Sequence, residues 1–426
     1  MSWSFRGSDM FSALNIKIGF YLALRQIRRA SPWTTSLIIF VMILTFLNLV
    51  VVSGILVGLI QGSIDQVRTK YTSDVIVSTL NDKAYIENSP NIIALIKSMP
   101  EVQAISPRYR ESGSLEANYK TRKDTDKPNT APGQVAGIDP KEENSVTGIA
   151  NDIVEGSFLE EGDYDQVLLG HYLLKQYVPI ETPAFSTLNN VGIGTKIRLK
   201  VGDVTREVTV KGIIKSKVDE IALRTFMLDT QFRSMIGRTD GNVSEIAIKL
   251  KPGEDPVAVR DSLKRSGVDR YAKVQTYEDA QPKFLQDIVA TFNMLGNAFS
   301  SIGLVVASIT IFIVIFINAL TRRKYIGILK GIGINGKAIE MSYVFQSIFY
   351  ALFGSTIGLL LVYGFLVPAF AAHPIDFPFS DGILVAPPDQ TFFRVGLLVI
   401  ATLVAGYIPA WMIIRKNTLD SILGRN

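Results

Sequence analysis

Residues 30–64 read ASPWTTSLIIFVMILTFLNLVVVSGILVGLIQGSI, a run of 35 positions without one charged side chain. Leu37–Ile60 is its dense apolar core. A helix needs about 20 apolar residues to cross the hydrocarbon layer of a bilayer, so this run reads as a membrane span. It is too long for a secretory signal, and no small-residue cleavage site follows it, so it is expected to stay in the mature protein. Three more charge-free runs occur further on, at Ile288–Leu320, Met341–Ile375 and Val395–Ile414. An apolar content of 47% agrees with four spans.

The charges around these runs set an orientation. Arg25, Arg28 and Arg29 precede the first; Arg322, Arg323, Lys324, Lys330 and Lys337 lie between the second and third; Arg415, Lys416 and Arg425 follow the fourth. The connection from Ala369 to Gln390 carries Asp376, Asp381 and Asp389 and no Lys or Arg. Lys and Arg collect on the cytoplasmic side, which places both termini and the 322–340 loop there. The net charge of +5 follows from that placement, because residues 65–287 hold 30 basic against 33 acidic side chains. A nucleic-acid footprint is therefore not expected.

The second run, at 33 residues, would extend roughly 50 Å as a helix, well beyond the ~30 Å hydrocarbon layer. Its surplus, Phe284–Phe299, mixes Asn293 and Asn297 with Phe and Leu and reads as an amphipathic stalk. Gly58–Lys70, at the end of the first run, gives a matching stalk. Between them, Thr72–Pro282 alternates strand and helix signals. Strands are expected at Asp74–Thr79, Val102–Arg108, Gln134–Ile138, Gln166–Leu169, Lys196–Val201, Arg206–Ile214, Val243–Leu250 and Ala272–Thr276. Helices are expected from Ser89-Pro90 and at Asp255–Arg265, with Lys120–Gly133 a polar turn region. This order suggests an α+β domain of two lobes, with a boundary near Val167 and a return near Gly241. Pro179–Asn190 exposes Ile180 and Phe185 in a loop, a surface insertion or a hook for a partner.

Catalytic signals are weak. Cysteine is absent, and the two histidines, His171 and His373, stand apart. Gly331-Ile-Gly-Ile-Asn-Gly336 satisfies G-x-G-x-x-G, yet a membrane helix ends about ten residues earlier where a strand is required. Ala338 stands where a phosphate loop needs a hydroxyl. The acidic group Glu155, Glu160, Glu161, Asp163 and Asp165 lacks EF-hand spacing. The uncharged spans argue against a transporter driven through buried carboxylates. Asn48 and the pair Gly54 and Gly58, a G-x-x-x-G spacing, could support helix contacts, including a dimer contact.

Three stretches carry a resemblance. Ala23-Leu-Arg-Gln-Ile-Arg-Arg29 is similar to a membrane-entry helix. Arg322-Arg-Lys-Tyr-Ile-Gly-Ile-Leu-Lys-Gly-Ile-Gly333 resembles a cytoplasmic signature of basic residues, Ile-Gly-Ile-Leu and a glycine turn. Gly406-Tyr-Ile-Pro-Ala410 with Arg415 and Leu419–Leu423 resembles a closing pattern, although Thr418 stands where proline is frequent. Together they resemble the FtsX-like, MacB-like permease family of ABC transporters, which includes the lipoprotein-releasing permeases.

The resemblance implies a multi-pass protein of the bacterial cytoplasmic (inner) membrane, itself without catalytic activity or bound cofactor. ATP and Mg would reside in separate ABC ATPase subunits. A second permease copy or paralogue, a periplasmic adaptor or lipoprotein, and membrane lipid are the further partners implied. Arg322, Arg323, Lys324, Ile326, Gly327, Ile328, Leu329, Lys330, Gly331 and Gly333 would form the segment docking on the ATPase. Movement would pass outward to export or extract a lipoprotein, lipid, peptide or amphipathic drug. A transmembrane sensor or a regulator of cell-wall hydrolases is the alternative. The expected layout is a cytoplasmic segment at 1–30, first span and stalk at 31–64, and the external α+β domain at 65–286. A stalk and second span follow at 287–320, then a coupling segment at 321–339, a third span at 340–368, an external loop at 369–392, a fourth span at 393–414 and a cytoplasmic tail at 415–426.

Overall fold

The computed structural model describes residues 13–123, 127–178, 186–281, 283–373, 375, 377, 380 and 384–415. Helix α1 (Ala13–Arg28) comes first, followed by α2 (Pro32–Leu47), whose first turn is Pro32, a residue with no amide proton to leave unpaired. A π-helical turn at Asn48–Val52 joins α2 to α3 (Ser53–Val67), and a second one, Arg68–Thr72, ends a helical run of 41 residues. Ser73 then adopts φ 55°, a region L-residues avoid, and stops the helix.

The chain next forms β1 (Val75–Ser78), α4 (Ser89–Ser98), β2 (Val102–Glu116), β3 (Thr130–Ile138), α5 (Pro140–Thr147), β4 (Ile153–Gly156) and β5 (Gln166–Gly170). After these come β6 (Lys196–Val201), β7 (Val204–Ile214), α6 (Asp219–Ala222), β8 (Arg224–Leu228), α7 (Asp229–Met235), β9 (Glu245–Leu250), α8 (Pro256–Arg265) and β10 (Lys273–Thr276). The strand order β10-β1-β9-β2 is antiparallel throughout. With α4 after β1 and α8 after β9, it is a split β-α-β-β-α-β unit. β2 is long enough to continue beyond this sheet. From Tyr109 onward it pairs with β3 and then β6, and the ring β2-β3-β8-β5-β7-β6 closes on itself. Closure removes the exposed edges that an open sheet of these strands would present.

Alternation explains the burial. On the first sheet, Val75, Val77, Ile105, Ile246, Ile248 and Val274 fall on one face and pack with Ile92 and Ile96 of α4 and Val259 and Leu263 of α8. The opposite face carries Ser78, Gln275, Glu245, Ser106 and Arg108 beside Ile76 and Ala247 and is mainly polar. The closed ring contributes Leu115, Val135, Val167, Leu169, Ile197, Leu199 and Val208 to the same apolar cluster as the first sheet.

Several local expectations change here. Ser89 does not cap α4: Asn88 holds that position in the left-handed region, and the Ser89 hydroxyl donates to the Ile86 carbonyl and accepts from the Val243 amide. Thr130–Gly133 is strand, because it pairs with Gly113–Glu116 of β2. The change of strand partners lies between Arg108 and Tyr109 inside β2, and the expected boundary residue, Val167, sits within the closed ring. Asp139 and Asp255 cap α5 and α8 by accepting backbone amides two and three residues on, or two residues on, respectively.

The remaining helices are α9 (Lys283–Thr321), α10 (Arg323–Gly331), α11 (Gly336–Leu361), α12 (Val367–Ala372) and α13 (Pro388–Ile414), with a π-helical turn at Val362–Leu366. Among the described residues, four helical segments are long and apolar enough to cross a membrane: Pro32–Thr72, Asp287–Thr321, Gly336–Ala372 and Pro388–Ile414. Helix α11 is the hub, contacting α1, α2 and α13. Small residues allow this: a Cβ on Gly358 would stand 2.2 Å from the Phe46 ring, and one on Gly354 would stand 2.5 Å from the Met42 Cβ. The chain divides into two compact units, one of the membrane helices and one built around residues 61–286.

Candidate functional site

Two places concentrate chemistry, one in each unit. The first is α10 with the turn after it. A nine-residue amphipathic helix buries one stripe and shows another. Ile326 is 4% exposed and joins the apolar cluster of Ile339, Tyr343, Ile413 and Ile414, with Leu329 and Ile334 packed against it. Gly327 is buried as well. Burial pushes the Lys330 ammonium below its usual range, and its Nζ donates to the Ile414 carbonyl at the end of α13. Gly331 and Gly333 are exposed; Gly333, at φ 93°, reverses the chain, and the Asn335 side chain then caps α11 by accepting from the Lys337 amide.

Three large apolar side chains point away from this seat: Tyr325, Ile328 and Ile332 are 70%, 52% and 71% exposed. Their spacing of three and four residues puts them on one stripe. Lys324 is exposed beside them, with Arg322 and Arg323 half-buried. Of the apolar residues expected to face a partner, Ile326 and Leu329 are instead seated within the chain. Tyr325 was missed because its ring gave no period until the buried stripe was known. The glycine motif lies at a helix-to-helix turn with no strand before it, as the context argument anticipated.

The second place is the polar face of the first sheet. The Arg108 guanidinium, 1% exposed, donates to both oxygens of Glu143, from Nε at 2.6 Å and from Nη2 at 2.9 Å, and from Nη1 to Glu245 Oε1 at 3.3 Å. Arg224 Nη1 reaches the same Glu245 oxygen at 3.1 Å, and Arg110 Nη1 lies 3.5 Å from Oε2. Ser106 and Thr147 hydroxyls complete the Glu143 shell at 2.7 and 2.9 Å. Burial alone would raise the Glu245 carboxyl, but Arg224, Arg108 and Arg110 outweigh it and hold it down at about 2. Tyr71, from the π-helical turn, enters this network. Its hydroxyl donates to Glu245 at 3.0 Å, its carbonyl accepts from Arg108 at 2.9 Å, and its ring lies under Arg108 and Arg224. The same turn is tied by Arg68 to Asp74 at 2.6 Å and by Lys70 to Asp152 at 2.8 Å.

The other sequence candidates are elsewhere. Ile180 and Phe185 lie outside the described residues. Gly54 is closed within its own chain: its carbonyl accepts from the Val385 amide at 3.2 Å, and a Cβ there would meet the Val385 oxygen at 2.8 Å. Gly58 is buried, and the Asn48 amide oxygen approaches Gly303 of α9. At Gly54 the close approach is thus made by residues 384–385 of the same chain. The His171 ring lies tilted at 33° against Tyr172, with centroids 4.2 Å apart, and burial with nearby Lys215 pushes it down to about 4. Asp163 pairs with Lys211, Asp165 with Arg206 at 2.5 Å and Glu161 with Lys141 at 3.6 Å, so these acids hold the fold's own cations.

Comparison with known proteins gives two adjoining matches. Residues 35–266 match the MacB-like periplasmic core domain, and residues 297–418 match the FtsX-like permease C-terminal region. An uncharacterized ABC transporter permease of Methanocaldococcus jannaschii is 26% identical over 287 residues, which cover 64% of this chain and 66% of that protein. The macrolide export ATP-binding/permease protein MacB of Burkholderia cenocepacia is 24% identical over 185 residues, 42% of this chain and 26% of that protein. The crystal structure of the periplasmic region of MacB from Actinobacillus actinomycetemcomitans aligns with 51% of this chain and 94% of its own, at 15% identity and a TM-score of 0.34. The chain spans just under two thirds of the archaeal relative and about a quarter of the Burkholderia protein.

Proposed function

The chain belongs to the MacB-like, FtsX-like family of ABC transporter permeases, and on that premise we propose that it is a non-catalytic subunit driven by an ATPase on another chain. The stripe Tyr325, Ile328 and Ile332 carries this reading: it is apolar, rimmed by Lys324 and Arg322, and left open by a helix whose other side is firmly seated. An interface core of aromatic and aliphatic groups with basic residues at its edge suits docking on a protein partner. In this reading, Arg323, Ile326, Gly327, Leu329, Lys330, Gly331 and Gly333 shape and hold the segment, and nucleotide binding in the ATPase moves it.

The work is done outside the cytoplasm. The helical run Pro32–Thr72 ends in the buried charge network of the sheet, which supports transmission of movement from helix to domain. We read the split sheet and the closed ring as two lobes of an extracytoplasmic domain, and the basic loops as cytoplasmic. Export or extraction of a lipoprotein, lipid, peptide or amphipathic drug is the substrate class that follows, with a second permease copy or paralogue as partner. The test is affinity purification of the detergent-solubilised chain with a non-hydrolysable nucleotide. A Walker-motif ATPase in near-equal amount is expected from the wild type, and its loss from an Ile328→Asp/Ile332→Asp variant. Absence of any ATPase from the wild type would overturn the reading.

A further inference from the structure

Beside the charge network lies a polar cleft of about 340 Å³, lined among others by Tyr71, Asn81, Lys83, Arg110, Lys273 and Gln275. The network behind it is out of balance. Among the described residues, three guanidinium groups, Arg108, Arg110 and Arg224, share two carboxylates, Glu143 and Glu245. Both carboxylates are at most 2% exposed, as are Arg108 and Arg224, so the surplus positive charge is not relieved by water at those groups. Arg110 alone of the three is open, with a third of its side chain exposed, and it opens into the cleft.

The cleft adds to that surplus. Lys83 and Lys273 stand on its lining, and its one carboxylate among the described residues, Glu245, is already engaged by Tyr71, Arg108 and Arg224. The competing partners of the two lysines are an exposed Glu87 at 2.8 Å and the neutral Asn81 side chain. Exposed pairs of this kind are worth little and exchange readily. Ser78, Thr79, Asn81 and Gln275 supply neutral hydrogen-bonding groups along the same wall. A volume near the lower end of small-molecule sites suits a headgroup or a short acid better than a whole amphiphile.

We propose that this cleft binds an anionic oxygen group, a carboxylate or a phosphate, seated between Arg110, Lys83 and Lys273. Such a ligand neutralises the open end of the network through charge-assisted hydrogen bonds. Because Tyr71 lines the cleft, the occupant touches the last turn of the helical run that begins at Pro32. Occupancy thereby stiffens the anchor of that helix.

The test uses the full chain in detergent at constant ionic strength and needs no ATPase, so its failure leaves the permease reading untouched. Calorimetric titrations with inorganic phosphate, with succinate and with dihexanoyl phosphatidylglycerol below its micelle concentration form the three arms. Saturable binding of at least one probe is expected, weakened ten-fold or more in Lys83→Gln/Lys273→Gln, whose substitutions lie on the cleft rim. Arg110→Gln, checked for an unchanged melting profile, is expected to weaken it further. Binding by phosphate or succinate identifies a soluble anion, and binding by the lipid probe alone identifies a headgroup. No saturable heat with any probe, or equal affinity in the rim variant, would overturn the proposal.

Discussion

The two ends of this molecule's helices are held in opposite ways. Helix α10 is seated mainly by apolar contacts, Ile326 and Leu329, beside the Lys330 hydrogen bond to the Ile414 carbonyl, and leaves a second apolar stripe open. The turn Arg68–Thr72 is held by charges and hydrogen bonds, and its aromatic group, Tyr71, is half-buried against the network. Apolar seating is non-directional and tolerates a helix that shifts against its neighbours. A buried ion network fixes geometry, because each displaced partner leaves a charge without compensation. In the proposed function, the contrast suits one end to receiving a partner and the other to transmitting motion without slipping.

Breaking the network gives the largest effect. Arg108→Met leaves Glu143 and Glu245 buried with one guanidinium removed, and a loss of ~3–5 kcal/mol is expected for the external unit. Chemical denaturation of the full chain followed by far-ultraviolet dichroism measures it. A loss below about 1 kcal/mol would make the network an ordinary surface pair.

His171 tests the same unit through pH. Its folded value, about 4, lies below the ordinary 6.5, so the unfolded chain binds the extra proton first as pH falls. Stability conferred by keeping the ring neutral is complete above 6.5 and is lost as pH drops towards 4. The loss reaches as much as ~3 kcal/mol. His171→Gln should flatten the melting temperature across that window, whereas Glu245, held at about 2, begins to lose its share only below the ordinary 4.5.

Arg68→Gln is the mildest change. The pair with Asp74 is partly exposed, at 39% for the Arg68 side chain, so the expected cost is about 1 kcal/mol or less. Its sharper consequence is a weaker tie at the turn, read as faster amide exchange at residues 68–72. Unchanged exchange there would remove Arg68 from the anchor.

Much of this was legible beforehand for physical reasons that differ by region. Uncharged runs longer than a bilayer have few alternatives, so the spans could be read directly. Strands β6 and β9 could be read from alternation, since one face of each is apolar. Strand β8 was missed because Arg224-Thr-Phe-Met-Leu228 is buried on both sides and starts with a charge, which looks like a surface turn. The network was invisible for the same reason: Arg108, Glu143, Arg224 and Glu245 are distant in sequence, and charged residues are solvated far more often than buried. On α10 the apolar residues offered two stripes, and only the packing against Ile339 and Ile413 decides which is open. The hand-over inside β2 carries no local signal at all, because the strand continues unbroken through it.

The most direct test of transmission is hydrogen exchange on the purified assembly, with and without non-hydrolysable nucleotide. The expected result is a nucleotide-dependent change in amide exchange at residues 68–74 and in β9, absent in the Ile328→Asp/Ile332→Asp variant. Exchange in those segments that ignores nucleotide in the wild type, or responds equally in the variant, would contradict a mechanical path from α10 to the Tyr71 anchor.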